Sequence, residues 1–483
     1  MRTDGNASPD KVRLVRTRFA YEFDEDSMTA ANVNNMFLHG SLSKLFAKTA
    51  APIILIMTIN GLYVVADAYF LGIYAGADAL SAVSLIFPMM MMMLALGTLV
   101  SGGMSSILAR HLGAGRREEA QQTFAGAHFL ILGVVAAVYA IFFTVGRLAI
   151  SAGAGEAPAV AANAELFMTI MVLFAPIGYF LSLNIDGLRC EGRLGFMTAL
   201  TLSGTVLNIA FNWLFMGAFG WGVAGSALGS ILAQAISLLV VLAFRWRTPG
   251  VLKLGSPGPV VEWRQMLALG LPASFGFLGI SLNSAAVISN IRLWETEHYV
   301  AVIAGYGVVT RLLTFAYLPM MGVSIAFQTI AGNNFGARMM GRTNDSLKLA
   351  LVVVALYCGL IQLVALRFAP ALGAFFAEDA AVAAEVARIL PWTTFVYVLC
   401  GLPVILSGYF QSIGEAGRAG ILGLGRTYLF SIPLLFILPH VFGEPGIWMA
   451  APVADIAMVG LIAVVLSVNA ARRGWRFGLL QPL

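Results

Sequence analysis

Twelve stretches of this chain are apolar for long enough to cross a lipid bilayer, a crossing that takes about twenty consecutive apolar residues. They lie near 49–73, 80–108, 122–146, 160–185, 195–217, 222–246, 266–291, 301–330, 349–368, 381–411, 420–441 and 447–470. Hydrocarbon offers no partner for backbone N–H and C=O groups, so a spanning segment is either a helix or part of a closed barrel. These runs far exceed the ten or so alternating residues of a barrel strand. They predict an all-α polytopic membrane protein with twelve transmembrane helices. Composition agrees, because 59% of the 483 residues are hydrophobic and 11% are charged, against about 25% charged in a soluble domain. An ordinary soluble enzyme is excluded, and so is a disordered chain, which needs low hydrophobicity.

The net charge of +5 does not point to nucleic acid, because the basic residues are dispersed and collect where a membrane protein puts them. With both termini cytoplasmic, twenty-three Lys and Arg fall on the inside and three (Arg147, Arg292, Arg367) in the opposite loops. That asymmetry is the positive-inside rule, and an even number of spans agrees with it. Cys190, Cys358 and Cys400 are too scattered for a disulfide framework or a metal cluster. Residues 1–40 carry charges of both signs without an apolar core, so a polar cytoplasmic tail is expected rather than a signal peptide.

The chain also repeats. Pro52 and Pro272 open the first and seventh spans, Gly113 matches Gly336, and Gly187 matches Gly408, all at offsets of 220–223. Six spans per copy is an even number, so the second copy re-enters in the same orientation, and transporters use such parallel repeats to place a site between two bundles. The expected organisation is a cytoplasmic tail over 1–45, a first lobe over 46–247, a cytoplasmic linker over 248–262, a second lobe over 263–471 and a C-terminal tail over 472–483.

Motifs for soluble chemistry are missing or out of context. Gly220-Trp-Gly-Val-Ala-Gly225 fits GxGxxG but opens a membrane span, where Gly222, Gly225, Ser226 and Gly229 serve close helix approach. There is no GxxxxGK[ST], no HExxH and no clustering of the five histidines; His128 reads as a packing residue. No catalytic constellation and no cofactor are expected. Ionisable groups deep inside spans are costly, at least ~2.5 kcal/mol, and persist mainly for function. Asp67 lies well inside the first span among apolar neighbours, and Asn60, Tyr63 and Asp67 share one helix face. Asn208 and Asn212 stand four apart in the fifth span, and Ser230 lies about two turns into the sixth. These groups either form a site or join helices by hydrogen bonds. Asp455 and Arg311 are the deep charges of the second half, suited equally to a structural pair or to transport. Phe87, Met89 and Met90 give an adaptable apolar wall, since Met is flexible and polarizable, although ordinary lipid-facing or core packing is the commoner reading of any one of them.

Several stretches carry a family resemblance. They are Pro52…Asn60-Gly-Leu-Tyr63-Val-Val-Ala-Asp67…Phe70-Leu-Gly, Ala79-Leu-Ser-Ala-Val-Ser…Phe87-Pro, Leu188-Arg-Cys-Glu-Gly192 and Leu207-Asn-Ile-Ala-Phe-Asn212. Over about 45–470 the chain resembles the multidrug and toxic compound extrusion (MATE) family, most of all the prokaryotic branches with a cation site in the N-terminal lobe. The resemblance implies two six-helix lobes around a V-shaped cleft and export of amphipathic, often cationic compounds in exchange for H+ or Na+. Carried over by position, Pro52 would let the first helix bend. Asp67, Tyr63, Asn208, Asn212 and Ser230, with Asn184 as a looser match, would form the cation-coupling site. Asn60, Phe87, Met89 and Met90 would border the substrate cleft. Those branches often have an aspartate where this chain has Asn212, which leaves Asp67 as the lone carboxylate. No Asp or Glu lies in 266–291 or 386–411, so a C-lobe cation site is not expected.

The functional expectation is a secondary antiporter in the cell membrane, a monomer whose partners are small amphipathic molecules and the bilayer, with no nucleic acid. Its only ion is the coupling H+ or Na+, with any Na+ held at Asp67. A flippase for a lipid-linked precursor is the alternative, disfavoured by the scarcity of intramembrane Lys and Arg. An intramembrane enzyme stands third.

Overall fold

The structure, a computed structural model, describes residues 35–155, 157–255, 262–294, 298–377 and 379–479; the side chains at 63–66, 68, 77 and 476 fall outside that description. Most of the expected N-terminal tail and part of the linker therefore lie outside the described residues. Among the described residues ten helices are long and apolar enough to span a membrane, and two bent pairs bring the number to twelve. In chain order they are α1 (Leu42–Tyr74), α2 (Gly76–Gly113), α3 (Arg117–Ala154), α4 (Pro158–Leu173 with Ala175–Cys190), α5 (Leu194–Ala218) and α6 (Gly222–Arg247). The second repeat follows as α7 (Trp263–Trp294), α8 (Tyr299–Gly336), α9 (Met340–Phe376), α10 (Ala380–Thr394 with Tyr397–Ser412), α11 (Ala416–Phe442) and α12 (Pro445–Arg473). Each half thus supplies six helices, and the two sets form the lobes of a V.

Irregularities recur in both copies. α4 bends by 51° and its counterpart α10 by 49°. The turns that end them place Gly192 and Gly414 at φ +76° and +85°, the left-handed region that glycine enters without a Cβ penalty. The turn after α2 uses Gly115 at φ +72°, and the equivalent turn after α8 uses Arg338 at φ +59°.

Each lobe has its own apolar interior. Ile86, Met104, Phe124, Ile131 and Met168 are among the buried side chains of the N-lobe, and Val302, Val309, Ile389 and Trp448 of the C-lobe. A further cluster crosses between them, joining Phe46, Ile53 and Ile56 of α1 with Val323 and Phe327 of α8. The seam between lobes is built on glycines. A Cβ at Gly103 would lie 1.9 Å from the Met266 carbonyl oxygen, and one at Gly270 1.8 Å from that of Leu99. A Cβ at Gly113 would lie 2.0 Å from Asn333 O, and one at Gly336 2.1 Å from Arg110 O. The Gly113 and Gly336 contacts are the same contact made from either side of the repeat.

Among the described residues, hydrogen bonds between the lobes cluster at the end where the linker lies. Ser106 donates to Gln411 O at 2.6 Å, and Arg110 to the carbonyls of Gln411 and Ser412 at 3.3 Å. Arg189 donates to Thr329 Oγ1 at 2.5 Å. The segment before α1 closes the same end: Asn35 donates to Asn333 Oδ1 at 2.9 Å, and Arg342 to Gly40 O at 2.9 Å. Toward the other end the lobes part. A Cβ at Gly61 of α1 would come within 2.6 Å of Leu318 on α8, whereas one at Gly72, on the same face three turns on, would meet nothing within 4 Å. The V is shut at the linker end and open at the other.

Candidate functional site

Asp67 sits in the N-lobe where α1 meets α5 and α6. Asn212 Nδ2 donates to its Oδ1 at 2.7 Å, and Ser226 Oγ donates to the same oxygen at 2.9 Å. The chain of bonds continues, because Asn212 Nδ2 also reaches Asn208 Oδ1 at 3.2 Å and Asn208 donates to Ser230 Oγ at 2.8 Å. Residues four apart on a helix share a face, which is why Asn208–Asn212 on α5 and Ser226–Ser230 on α6 each present two polar groups to one line. Gly229 makes the approach possible: a Cβ there would fall 2.6 Å from Asn212 Oδ1. Asn212 and Asn208 are 1% and 7% exposed, so this polar line is enclosed by apolar helices, where a carboxylate is stabilised only by partners of this kind.

The structure brings together Asp67, Asn208, Asn212 and Ser230 as the sequence grouped them, and adds Ser226. That serine reads in sequence as a small packing residue; its i, i+4 relation to Ser230 is the signal that could have marked it. The Tyr63 side chain lies outside the described residues.

Asn184 is elsewhere. It is fully buried beside His128, with Nδ2 3.1 Å from His128 Nε2, and it accepts from Arg245 Nε at 2.7 Å through Oδ1. Arg245, 2% exposed, also donates to Glu191 Oε2 at 2.8 Å and to Leu252 O at 2.9 Å, and its guanidinium lies 4.5 Å from the centre of the Phe124 ring. Glu191 in turn accepts the Leu252 N–H at 2.5 Å. This network ties the ends of α4 and α6 to the start of the linker, a structural task. Arg245 counts as an inner-loop arginine in the sequence pattern; the fold buries it.

The residues expected along the cleft divide. Asn60 and Phe87 are exposed, whereas Met89 and Met90 pack against the N-lobe interior. Met89 lines a small apolar cavity there with Leu96, Phe142 and Met168. Pro52 lies within one continuous helix from Leu42 to Tyr74. In the C-lobe, Asp455 takes a two-pronged contact from Arg426, whose Nη2 lies 3.1 Å from Oδ2, so the deep carboxylate of α12 is charge-paired. Among the described residues no group of three or more His, Cys, Asp or Glu side chains is placed to hold a metal ion. An alkali cation at Asp67 would draw instead on carboxylate, amide and hydroxyl oxygens, the donors that hard cations prefer. The oxygen that fits this need is Asn212 Oδ1, buried with no donor among the described residues.

A polar line inside one lobe of a twelve-helix V is a particular arrangement, and the MatE family model matches residues 52–214 and 272–437, one match in each lobe. The chain belongs to the MATE family of transporters. It is 23% identical over 423 residues to the multidrug export protein MepA of Staphylococcus aureus, covering 86% of this chain and 92% of that one. It is 24% identical over 410 residues to the probable multidrug resistance protein YoeA of Bacillus subtilis, covering 81% and 86%. Among solved structures, a MATE transporter in an outward-facing conformation superposes with a TM-score of 0.81 at 23% identity, covering 90% of this chain and 98% of that one. A MATE structure in the bent conformation gives 0.82 at 22% identity, covering 92% and 99%. A transporter of Pyrococcus furiosus described as having a binding pocket of reversed polarity gives 0.80 at 22% identity, covering 90% and 97%. These likenesses fix the fold of a multi-pass membrane protein.

Proposed function

We propose that this MATE protein is a secondary antiporter of the cell membrane that exports amphipathic, often cationic compounds in exchange for H+ or Na+ by alternating access. The observation that carries the reading is the enclosed carboxylate: Asp67 held through Oδ1 by donors from two other helices. The names of the multidrug relatives support it. With the positive-inside asymmetry, the linker end faces the cytoplasm, and the open V faces outward. Both donors fall on one carboxylate oxygen, which leaves Oδ2 to take a proton, or the group to share a Na+ with Asn212 Oδ1 and Ser226 Oγ. One carboxylate per monovalent ion leaves the enclosed site neutral. An ion drives transport only if it binds the two conformations with different affinity, so the site must lose or gain partners as the lobes move. The protein acts as a monomer in this scheme, since one chain holds both lobes and the cleft.

The test uses purified protein in sealed vesicles, with an imposed ion gradient driving ethidium. Asp67→Asn is nearly isosteric, and it keeps the bonds that join α1 to α5 and α6 while removing the charge. Gradient-driven transport is expected to vanish in folded Asp67→Asn. Wild-type coupled rates in that variant would overturn the assignment of Asp67, and dependence on ATP with the ion gradients clamped would overturn secondary transport.

A further inference from the structure

α8 carries an arginine in the middle of the membrane that the cation site does not use. Arg311 is exposed, and among the described residues no carboxylate or hydrogen-bond acceptor takes its guanidinium. A charged side chain at that depth almost always faces a water-filled cavity or the bundle interior, and the helix geometry says which. Gly322 packs on Ile54 of α1, and Leu318 and Phe315 reach Gly61 of the same helix. At 3.6 residues per turn, positions 322, 318, 315 and 311 fall within roughly 60° of one another around α8. Val302, Gly305, Val309 and Met320, on the other side, are the buried positions facing the C-lobe interior. Arg311 therefore continues the face that meets the N-lobe, just beyond the point where the two helices separate.

Its depth follows from the same contacts. α1 and α8 run antiparallel, and Gly61 is level with Leu318 and Phe315. At about 1.5 Å per residue, Arg311 stands roughly 6–10 Å above that contact and Asp67 about 9 Å above it. The cleft thus has a carboxylate set back inside one lobe and, at the same level, a guanidinium projecting from the other. The space before the guanidinium is open, since a Cβ at Gly307 or Gly72 would meet nothing within 4 Å. Leu99 against Gly270 and Gly103 against Met266 set the register of α2 and α7, and that register brings the apolar side chains of Met92 and Phe277 level with one another.

We propose that Arg311 binds the carboxylate of an amphipathic substrate at the floor of the cleft, so that the substrate class includes zwitterions whose apolar body lies against Met92, Phe277 and Phe315. This rests on the transport reading above and narrows it. A guanidinium matches a carboxylate with two parallel N–H donors, and a site open to water lets the substrate carry its charge in without leaving an unpaired group behind.

A matched pair of ligands tests it: the free acid and the ethyl ester of one rhodamine dye, nearly identical in shape, one zwitterionic and one cationic. Fluorescence polarisation with purified protein in neutral detergent gives the ratio of acid to ester affinity. Wild type is expected to bind the acid at least as tightly as the ester. Arg311→Gln should lower the ratio by roughly tenfold or more, the loss of one charge-assisted pair, and Arg311→Lys should keep part of it. An unchanged ratio in monodisperse, folded Arg311→Gln would overturn the proposal. Competition for Arg311 by phosphatidylglycerol, with no effect of the dye acid, would overturn it in favour of a lipid headgroup. Gradient-driven extrusion of the ester by wild type is measured alongside; its failure would sink the transport reading and leave the acid-to-ester ratio standing as a binding result.

Discussion

Adding one methyl group at the seam should open the closed end of the V. In Gly336→Ala the new Cβ would lie 2.1 Å from the Arg110 carbonyl oxygen, with the Arg110 carbonyl carbon at 2.8 Å and Cα at 3.0 Å. All three contacts are backbone, so no side chain can swing away; α2 and α8 must separate by about an ångström. Overpacking of this kind costs typically 1–3 kcal/mol, and the cost falls only on the conformation in which α2 and α8 touch. A bias of that size shifts the ratio of two conformations roughly 5- to 150-fold. Spin labels at Glu118→Cys and Lys348→Cys, both exposed and both at the linker end, report the separation of the lobes. The native Cys190, Cys358 and Cys400 are buried and do not compete for the label. The distance distribution should gain a longer component in Gly336→Ala and in its repeat partner Gly113→Ala. Gly417→Ala is the control, since a Cβ there meets nothing within 4 Å. Wild-type distributions in both seam variants would refute the argument that this contact holds the end shut.

Two further outcomes follow from the charged networks at the same end. Removing one member of the Arg245–Glu191 pair, whose side chains are 3% and 7% exposed, should lower stability by about 3–5 kcal/mol, since the other charge is left buried alone; thermal unfolding of Arg245→Met against the double variant Arg245→Met/Glu191→Leu checks it, the double recovering part of the loss. Glu262, at the foot of α7, pairs with His111 Nε2 at 2.9 Å and with Thr123, while Arg110 adds its charge and His111 Nδ1 lies 3.0 Å from Glu119, itself paired with Arg116. Burial pushes the Glu262 carboxyl up, and the bonds from His111 and Thr123 with the nearby positive charge outweigh it, so the net shift is downward. A depressed carboxyl stabilises the fold fully above its ordinary range near pH ~4.3 and loses that contribution as pH falls through the lowered value. The melting-temperature gap between wild type and Glu262→Gln should hold from pH ~7 to ~5 and close only in stronger acid; a gap that closes near pH ~6 would show that another group controls it.

The fold was legible because its cause is written along the whole chain: a run of twenty apolar residues has few alternatives in hydrocarbon. The ends of the helices were not, since polar residues such as Lys44, Lys48 and Arg117 continue a helix beyond the apolar run into the interface. The two bends were hidden as well, since spans four and ten read as single apolar stretches. Within the candidate site, Asp67, Asn208, Asn212 and Ser230 could be grouped because polar side chains stand out in apolar spans and i, i+4 spacing gives each a face. Asn184 shows the limit. It stands out equally, but its partners His128 and Arg245 come from two other helices, and only the packing of α3, α4 and α6 decides that it serves an arginine rather than Asp67. Asp455 was undecided for the same reason until Arg426 came to it across the fold.

α1 is the element on which the two halves of the proposed cycle meet. Its Ile54 and Gly61 face α8 across the seam, and Asp67 faces α5 and α6 from a position about 120° around the same helix. The helix is therefore held by the C-lobe on one side and by the bonds of Asp67 to α5 and α6 on the other, with less than two turns between Gly61 and Asp67. Neutralising Asp67 weakens the charge-assisted bonds from Asn212 and Ser226, and the helix then answers more to its contacts with α8. Pro52 lies just below those contacts and lacks the N–H that would bond the carbonyl one turn earlier, so in the proposed cycle the foot of α1 would be the part to yield first. An ion that changes the partners of one carboxylate can in this way alter the seam without any contact to the substrate, and the substrate, by reciprocity of coupled binding, alters the affinity of the carboxylate for its ion.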